Sequence, residues 1–90
     1  MSKEKYQEDS QVEDKTTTLR TIVVYNDDVN SFDHVINCFM NILGHTFDES
    51  LVEAYTIHNE GKCDVKSGSY DELEPYALAL LNQQLSAKIE

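Results

Sequence analysis

The sequence predicts an α+β domain with a small antiparallel sheet and elements in the order β-α-α-β-α-β. Three observations carry this. A run of alternating β-branched residues, Thr21 to Tyr25, stops at Asn26-Asp27-Asp28. Two Ser/Thr-x-x-Glu boxes, at Thr46 and Ser69, each open a segment with apolar residues at helical spacing. Gly44 and Gly61 close the first two helical segments.

The first strand spans residues 20–25, with Ile22 and Val24 alternating against Thr21, Val23 and Tyr25. Asn26 to Ser31 is polar and ends it. Asn30 is placed to cap the first helix, with Asp33 near its positive end. Phe32, Val35, Ile36, Phe39, Met40 and Leu43 form that helix's apolar stripe. Thr46-Phe47-Asp48-Glu49 opens the second helix, whose inward face reads as Leu51, Ala54, Tyr55 and His58. Lys62 to Lys66 reads as a short strand and Ser67-Gly68 as a turn. The Ser69 box starts the third helix, with Leu73, Tyr76, Ala77, Leu80 and Leu81 inward. Pro75 falls inside it and removes a backbone donor. The helix therefore either begins later than its cap suggests or has distorted first turns. Residues 85–89 read as a closing strand.

Ninety residues make one small domain. Residues 1–18 are almost without apolar side chains and read as a disordered acidic arm, leaving 19–90 as the folded domain. The arm has three lysines against five carboxylates, so −8 of the net −10 lies on the folded part. This balance argues against nucleic acid and anionic membranes, which need basic patches. It favours cationic or amine-bearing partners. Cys38 and Cys63 form no CxxC, and no secretory, transit or membrane-spanning segment is recognisable. The expectation is a cytoplasmic protein with two reduced thiols.

Function concentrates at Asn26, Asp27, Asp28 and His58. If the fold joins them, they form a site of two carboxylates, an amide oxygen and an imidazole nitrogen. Such a site is mostly acceptors. It suits a small cation rich in N–H donors, above all a peptide α-ammonium, whose pKa lies near ~7.7–8.0. Each motif alone has a plainer reading. Asn-Asp-Asp after a strand is an ordinary turn and helix cap. A histidine on an inward helix face is ordinarily structural, and Phe32, Val35 and Phe39 are ordinary core. His34 and His45 read as surface residues.

Together, Val23-Val24-Tyr25-Asn26-Asp27-Asp28 and Thr56-Ile57-His58-Asn59-Glu60-Gly61-Lys62 resemble ClpS, the adaptor that delivers N-degron substrates to the Clp AAA+ protease. The resemblance runs from about Thr21 to Ile89 and implies a three-stranded sheet packed on three helices. It implies that Asn26, Asp27, Asp28 and His58 hold the α-ammonium and first peptide bond of a substrate, with Asp28 the preferred ammonium partner. It further implies that Asn30, Phe32, Val35, Ala54, Ile57 and Leu85 line a pocket for a first residue of the Leu, Phe, Tyr or Trp type. The implied partner is the N-terminal domain of a Clp unfoldase, and the arm would serve substrate hand-off. No cofactor, metal or catalytic step is implied. The chain departs from the family pattern at Phe32 and Ala54, where methionine is usual, at Asn30, where threonine is common, and at Tyr76, where relatives often carry a basic docking residue.

Two other classes compete. A hydrolytic or metal site at Asp27, Asp28 and His58 lacks a coupled nucleophile, and Asp28-x-Asn30-x-Phe32-Asp33 lacks the glycine and later ligand of an EF-hand. A non-catalytic interaction domain of the same fold, like the C-terminal domain of the ribosomal stalk protein, would not need the acidic turn and histidine.

Overall fold

The computed structural model describes residues 18–90. Six elements follow in the expected order: β1 (Leu19–Tyr25), α1 (Phe32–Leu43), α2 (Phe47–Glu60), β2 (Lys62–Ser69), α3 (Tyr70–Asn82) and β3 (Ser86–Ile89). The sheet order is β2-β1-β3, and both neighbours run antiparallel to β1. The expected arm lies outside the described residues, apart from Thr18.

β1 is central because it is hydrogen-bonded to β2 along one edge and to β3 along the other. Ile22 and Val24 turn toward the helices and are 0% and 1% exposed. Opposite them on β2, Val65 is an extra residue. Ile22 pairs with Lys66 and Val23 with Asp64, so Val65 bulges out of register and into the core. Phe39 of α1 and Leu73 and Leu80 of α3 fill the space beneath the sheet, all fully buried.

β2 runs on through Ser67-Gly68, where the sequence had read a turn. The residues pair with Thr21 and Arg20 of β1, a long-range ladder that overrides local turn preference. Gly68 has a different use. A Cβ there would stand 2.9 Å from Glu72 Oε1, the oxygen that reaches back to the Ser69 amide in the capping box.

The helix starts show where local signals compete. Ser31, not Asn30, caps α1; its hydroxyl accepts from the His34 amide at 3.1 Å. Asn30 is diverted, because its side-chain amide is bound to Asp27 and Gln84. Both Ser/Thr-x-x-Glu boxes form as expected. On α2 the buried stripe is Ser50, Ala54 and Ile57, whereas Tyr55 and His58 are exposed. The inward face is thus rotated from the expected one, and this rotation leaves His58 accessible. α3 begins at its Ser69 cap and continues through Pro75. The carbonyl that loses its partner is that of Asp71, four residues back. Asp71 and Pro75 are both exposed, so water can serve that group. On α3, Leu73, Ala77 and Leu80 are buried, while Leu81 is 44% and Tyr76 36% exposed. Lys66 Nζ lies 4.7 Å over the Tyr76 ring.

α3 ends at a left-handed Gln84, φ 72°, with the Leu85 amide donating back to the Leu80 carbonyl. Leu85 then buries, and β3 closes the sheet. Cys38 and Cys63 are free thiols.

α2 ends at Gly61, φ 92°, whose amide bonds the Ile57 carbonyl. Nothing lies within 4 Å of the Cβ position, so Gly61→Ala carries only the backbone cost of a left-handed conformation. It should lower unfolding stability by roughly 1–2 kcal/mol. The check is urea denaturation, with the midpoint falling and the slope unchanged.

Candidate functional site

One backbone hydrogen bond assembles the site. The Asn26 amide donates to the Gly61 carbonyl at 2.8 Å, extending the β1–β2 ladder beyond the Tyr25–Lys62 pair. The end of β1 therefore lies against the end of α2. Asn26, Asp27 and Asp28 come to the same place as His58, one turn before Gly61.

The two aspartates have separate work. Asp27 Oδ1 accepts from the amides of Val29 and Asn30 at 3.0 and 3.1 Å, an Asx turn. The Asn30 side-chain amide reaches both carboxylate oxygens at 3.1 and 3.0 Å, and the Ser86 hydroxyl donates to Oδ2 at 3.1 Å. Partial burial raises the Asp27 pKa, but the Asn30 and Val29 amides outweigh it, helped by Ser86 and the Asn30 side chain. The net pKa is below the ordinary carboxylate value. Asp28 is exposed and makes no hydrogen bond to another described residue. The same holds for the side chains of Asn26 and His58.

These groups form the polar end of a cleft of about 340 Å³. Its remaining walls are Asn30, Phe32 and Val35 on one side and Ala54 and Ile57 on the other. Ala54 and Ile57 are 3% and 5% exposed and form the inner wall. Nine of the ten residues expected at the site therefore line one cleft. Leu85 does not. It lies in a narrow recess behind, which shares Asn26, Asp27, Asn30, Val35 and Ile57 with the cleft.

Some contributions were not foreseen. Gln84 accepts from the Asn30 side chain through its carbonyl at 2.8 Å, and Ser86 binds Asp27. Sequence separations of 54 and 59 leave no local trace of these bonds. Tyr55 packs edge-on against Phe32 at the rim. Its spacing three residues before His58 puts it on the inward stripe that the sequence predicts for α2, but the ring is exposed. The two other histidines are not simple surface residues. His34 Nε2 donates to the Gln83 carbonyl at 2.8 Å, and His45 Nδ1 lies 2.8 Å from Glu53 Oε1.

The described residues contain no group of three or more His, Cys, Asp or Glu able to hold a metal ion. Burial pushes both thiols up, Cys63 to about 11 with help from Glu53, so neither is a ready nucleophile. No described helix is long and apolar enough to cross a membrane.

The model of the ATP-dependent Clp protease adaptor protein ClpS matches residues 15–88. The chain belongs to the ClpS family. The Thermosynechococcus vestitus ClpS adapter is 33% identical over 81 residues, covering 89% of this chain and 86% of that protein. The Streptomyces coelicolor ClpS adapter is 29% identical over 68 residues, 76% of this chain and 71% of the relative. That of Mycolicibacterium paratuberculosis is 31% identical over 68 residues, 65% of its length. Among solved structures, Agrobacterium tumefaciens ClpS2 bound to L-phenylalaninamide superposes with a TM-score of 0.73 at 22% identity. It covers 80% of this chain and 94% of that one, and shares the fold. The α+β architecture predicted from the sequence is thus that of ClpS.

The two aspartates of this ClpS family member should differ on mutation. Asp27→Ala leaves the Val29, Asn30 and Ser86 donors unmatched and should cost roughly 1–2 kcal/mol of stability, whereas Asp28→Ala should cost less than about 0.5. A depressed folded pKa stabilises above the unfolded pKa near ~3.9 and is lost as pH falls through the folded value. Urea titrations at pH 7 and pH 3 should therefore show the Asp27→Ala deficit shrinking in acid. An equal deficit at both pH values would contradict the assignment.

Proposed function

We propose that this adaptor binds the free α-amino terminus of polypeptides beginning with Leu, Phe, Tyr or Trp and presents them to a Clp AAA+ unfoldase. The observation that carries the reading is the pairing, in one cleft, of three acceptors that have no partner among the described residues with an apolar end. Asn26, Asp28 and His58 match the three N–H donors of an ammonium. Asp27 holds the turn that aims them. Phe32, Val35, Ala54 and Ile57 receive the first side chain, and Leu85 backs them.

The magnitudes suit recognition without a covalent step. A fully buried apolar side chain contributes roughly 1.5–3 kcal/mol. Charge-assisted bonds from the ammonium to Asp28 contribute roughly 1.5–3 more. L-Phenylalaninamide, bound by the Agrobacterium relative, combines a free amine with an aromatic side chain, the pair of features this cleft is built to meet. The acidic residues 1–18 serve as the delivery arm, and the N-terminal domain of the unfoldase is the docking partner.

N-acetylation tests the reading directly. It removes the positive charge and two donors while leaving the side chain. Calorimetry with matched peptides should show at least about a tenfold loss, or ~1.4 kcal/mol. Equal binding of free and acetylated peptides would leave a non-catalytic interaction domain without N-degron recognition.

Pocket shape makes a second prediction. Ala54 leaves inner-wall space that a methionine would fill. Ala54→Met should weaken Trp-first peptides most and Leu-first peptides least, with the acetylation penalty intact. An unchanged order across Leu, Phe, Tyr and Trp would remove Ala54 from the specificity wall.

A further inference from the structure

Phe32 stands at the first position of α1 and forms one wall of the cleft. Its ring is bracketed by two others. Tyr55 meets it edge-on, with centroids 4.9 Å apart and planes at 68°. His58 meets it at 6.5 Å and 88°. Tyr55 and His58 lie three residues apart on α2, so one helix face supplies both supports. Tyr55 lines none of the cleft and is 54% exposed, more than an aromatic ring with a purely core role would be. Its contact with Phe32 is the one ring contact recorded for it among the described residues.

We infer that Tyr55 is a positioning residue for specificity: it holds the Phe32 ring as a fixed wall and thereby favours aromatic over aliphatic first residues. This rests on the function proposed above. A held ring offers an aromatic guest an edge-to-face or offset contact, which a freely rotating ring cannot hold ready. A leucine guest gains only from area covered, which either ring state supplies. Removing the support therefore costs aromatic guests more than aliphatic ones. The ammonium acceptors take no part in this difference.

The test compares peptides that differ only in Phe or Leu at position one, on the intact chain and on Tyr55→Ala and Tyr55→Phe. Alanine is a good helix former at an exposed site, and phenylalanine keeps the ring. The Phe-to-Leu affinity ratio should fall about three- to tenfold in Tyr55→Ala, within the range of an aromatic pair, and stay within about twofold in Tyr55→Phe. Phe32 ring proton shifts in NMR should move in Tyr55→Ala and hold in Tyr55→Phe, with or without peptide. An unchanged ratio, an equal loss for both peptides, or a Tyr55→Phe variant that behaves like Tyr55→Ala would overturn the inference. The wild-type acetylation penalty separates the two levels: if it is present and the ratio does not respond, only the role of Tyr55 fails. If it is absent, N-terminal recognition fails and this inference with it.

Discussion

The Asn26 amide bonded to the Gly61 carbonyl is the constraint on which the site depends. Without it, an acidic turn after a strand and a histidine near a helix end are unrelated surface features. With it, they line one cleft. The bond needs two local conditions. Gly61 must take a left-handed conformation so that α2 ends and the chain reverses into β2. The β1–β2 ladder must be in register up to Tyr25 and Lys62. The Val65 bulge works within the same ladder. It absorbs one residue, so both the Leu19 end and the Tyr25 end of β1 stay paired.

Adjacent aspartates could have been equivalent, and the fold separates them. Asp27 is saturated with donors, so its charge is spent on architecture. Asp28 stays hydrated, at little cost in the free protein. A ligand must then offer better donors than water to displace that hydration. An α-ammonium does so by bringing charge and three N–H groups together. This division explains how a small domain can carry an anionic site without burying unpaired charge.

The readable parts of the chain were those whose cause is local. Both capping boxes and both glycine stops act within a few residues, and each forms where the sequence placed it. Of the cleft, the acidic turn and His58 stood out by residue type, whereas Asn30, Phe32, Val35, Ala54 and Ile57 were marked only by the resemblance to ClpS, because apolar residues of a cleft and of a core look alike in sequence. Errors arose where a distant partner decided. Asn30 is a good cap by residue type, but Asp27 and the Gln84 carbonyl claim its side chain, and Ser31 caps instead. Ser67-Gly68 has turn chemistry, but β1 offers partners and extends the strand. On α2, Tyr55 and His58 fit an inward helical stripe. Packing against α1 and β2 selects Ser50, Ala54 and Ile57 instead. Pro75 does not break α3, and both it and Asp71, whose carbonyl lies four residues back, are exposed, where the penalty for a lost helical bond is small.

The segment from Gln83 to Ser86 extends this dependence to the far end of the chain. Four successive residues touch the site's frame. The Gln83 carbonyl holds His34, the Gln84 carbonyl holds Asn30, Leu85 backs the recess, and the Ser86 hydroxyl binds Asp27. This segment follows α3 directly and is positioned by the helix's left-handed exit at Gln84. A left-handed non-glycine residue costs roughly 1–2 kcal/mol, so the contacts it permits must offset that cost. They do so by bracing the turn that carries Asn26 and Asp28. The acidic turn is ordered by contacts contributed some fifty residues later in the chain, and the side chains of Asn26, Asp28 and His58 make no hydrogen bond to another described residue.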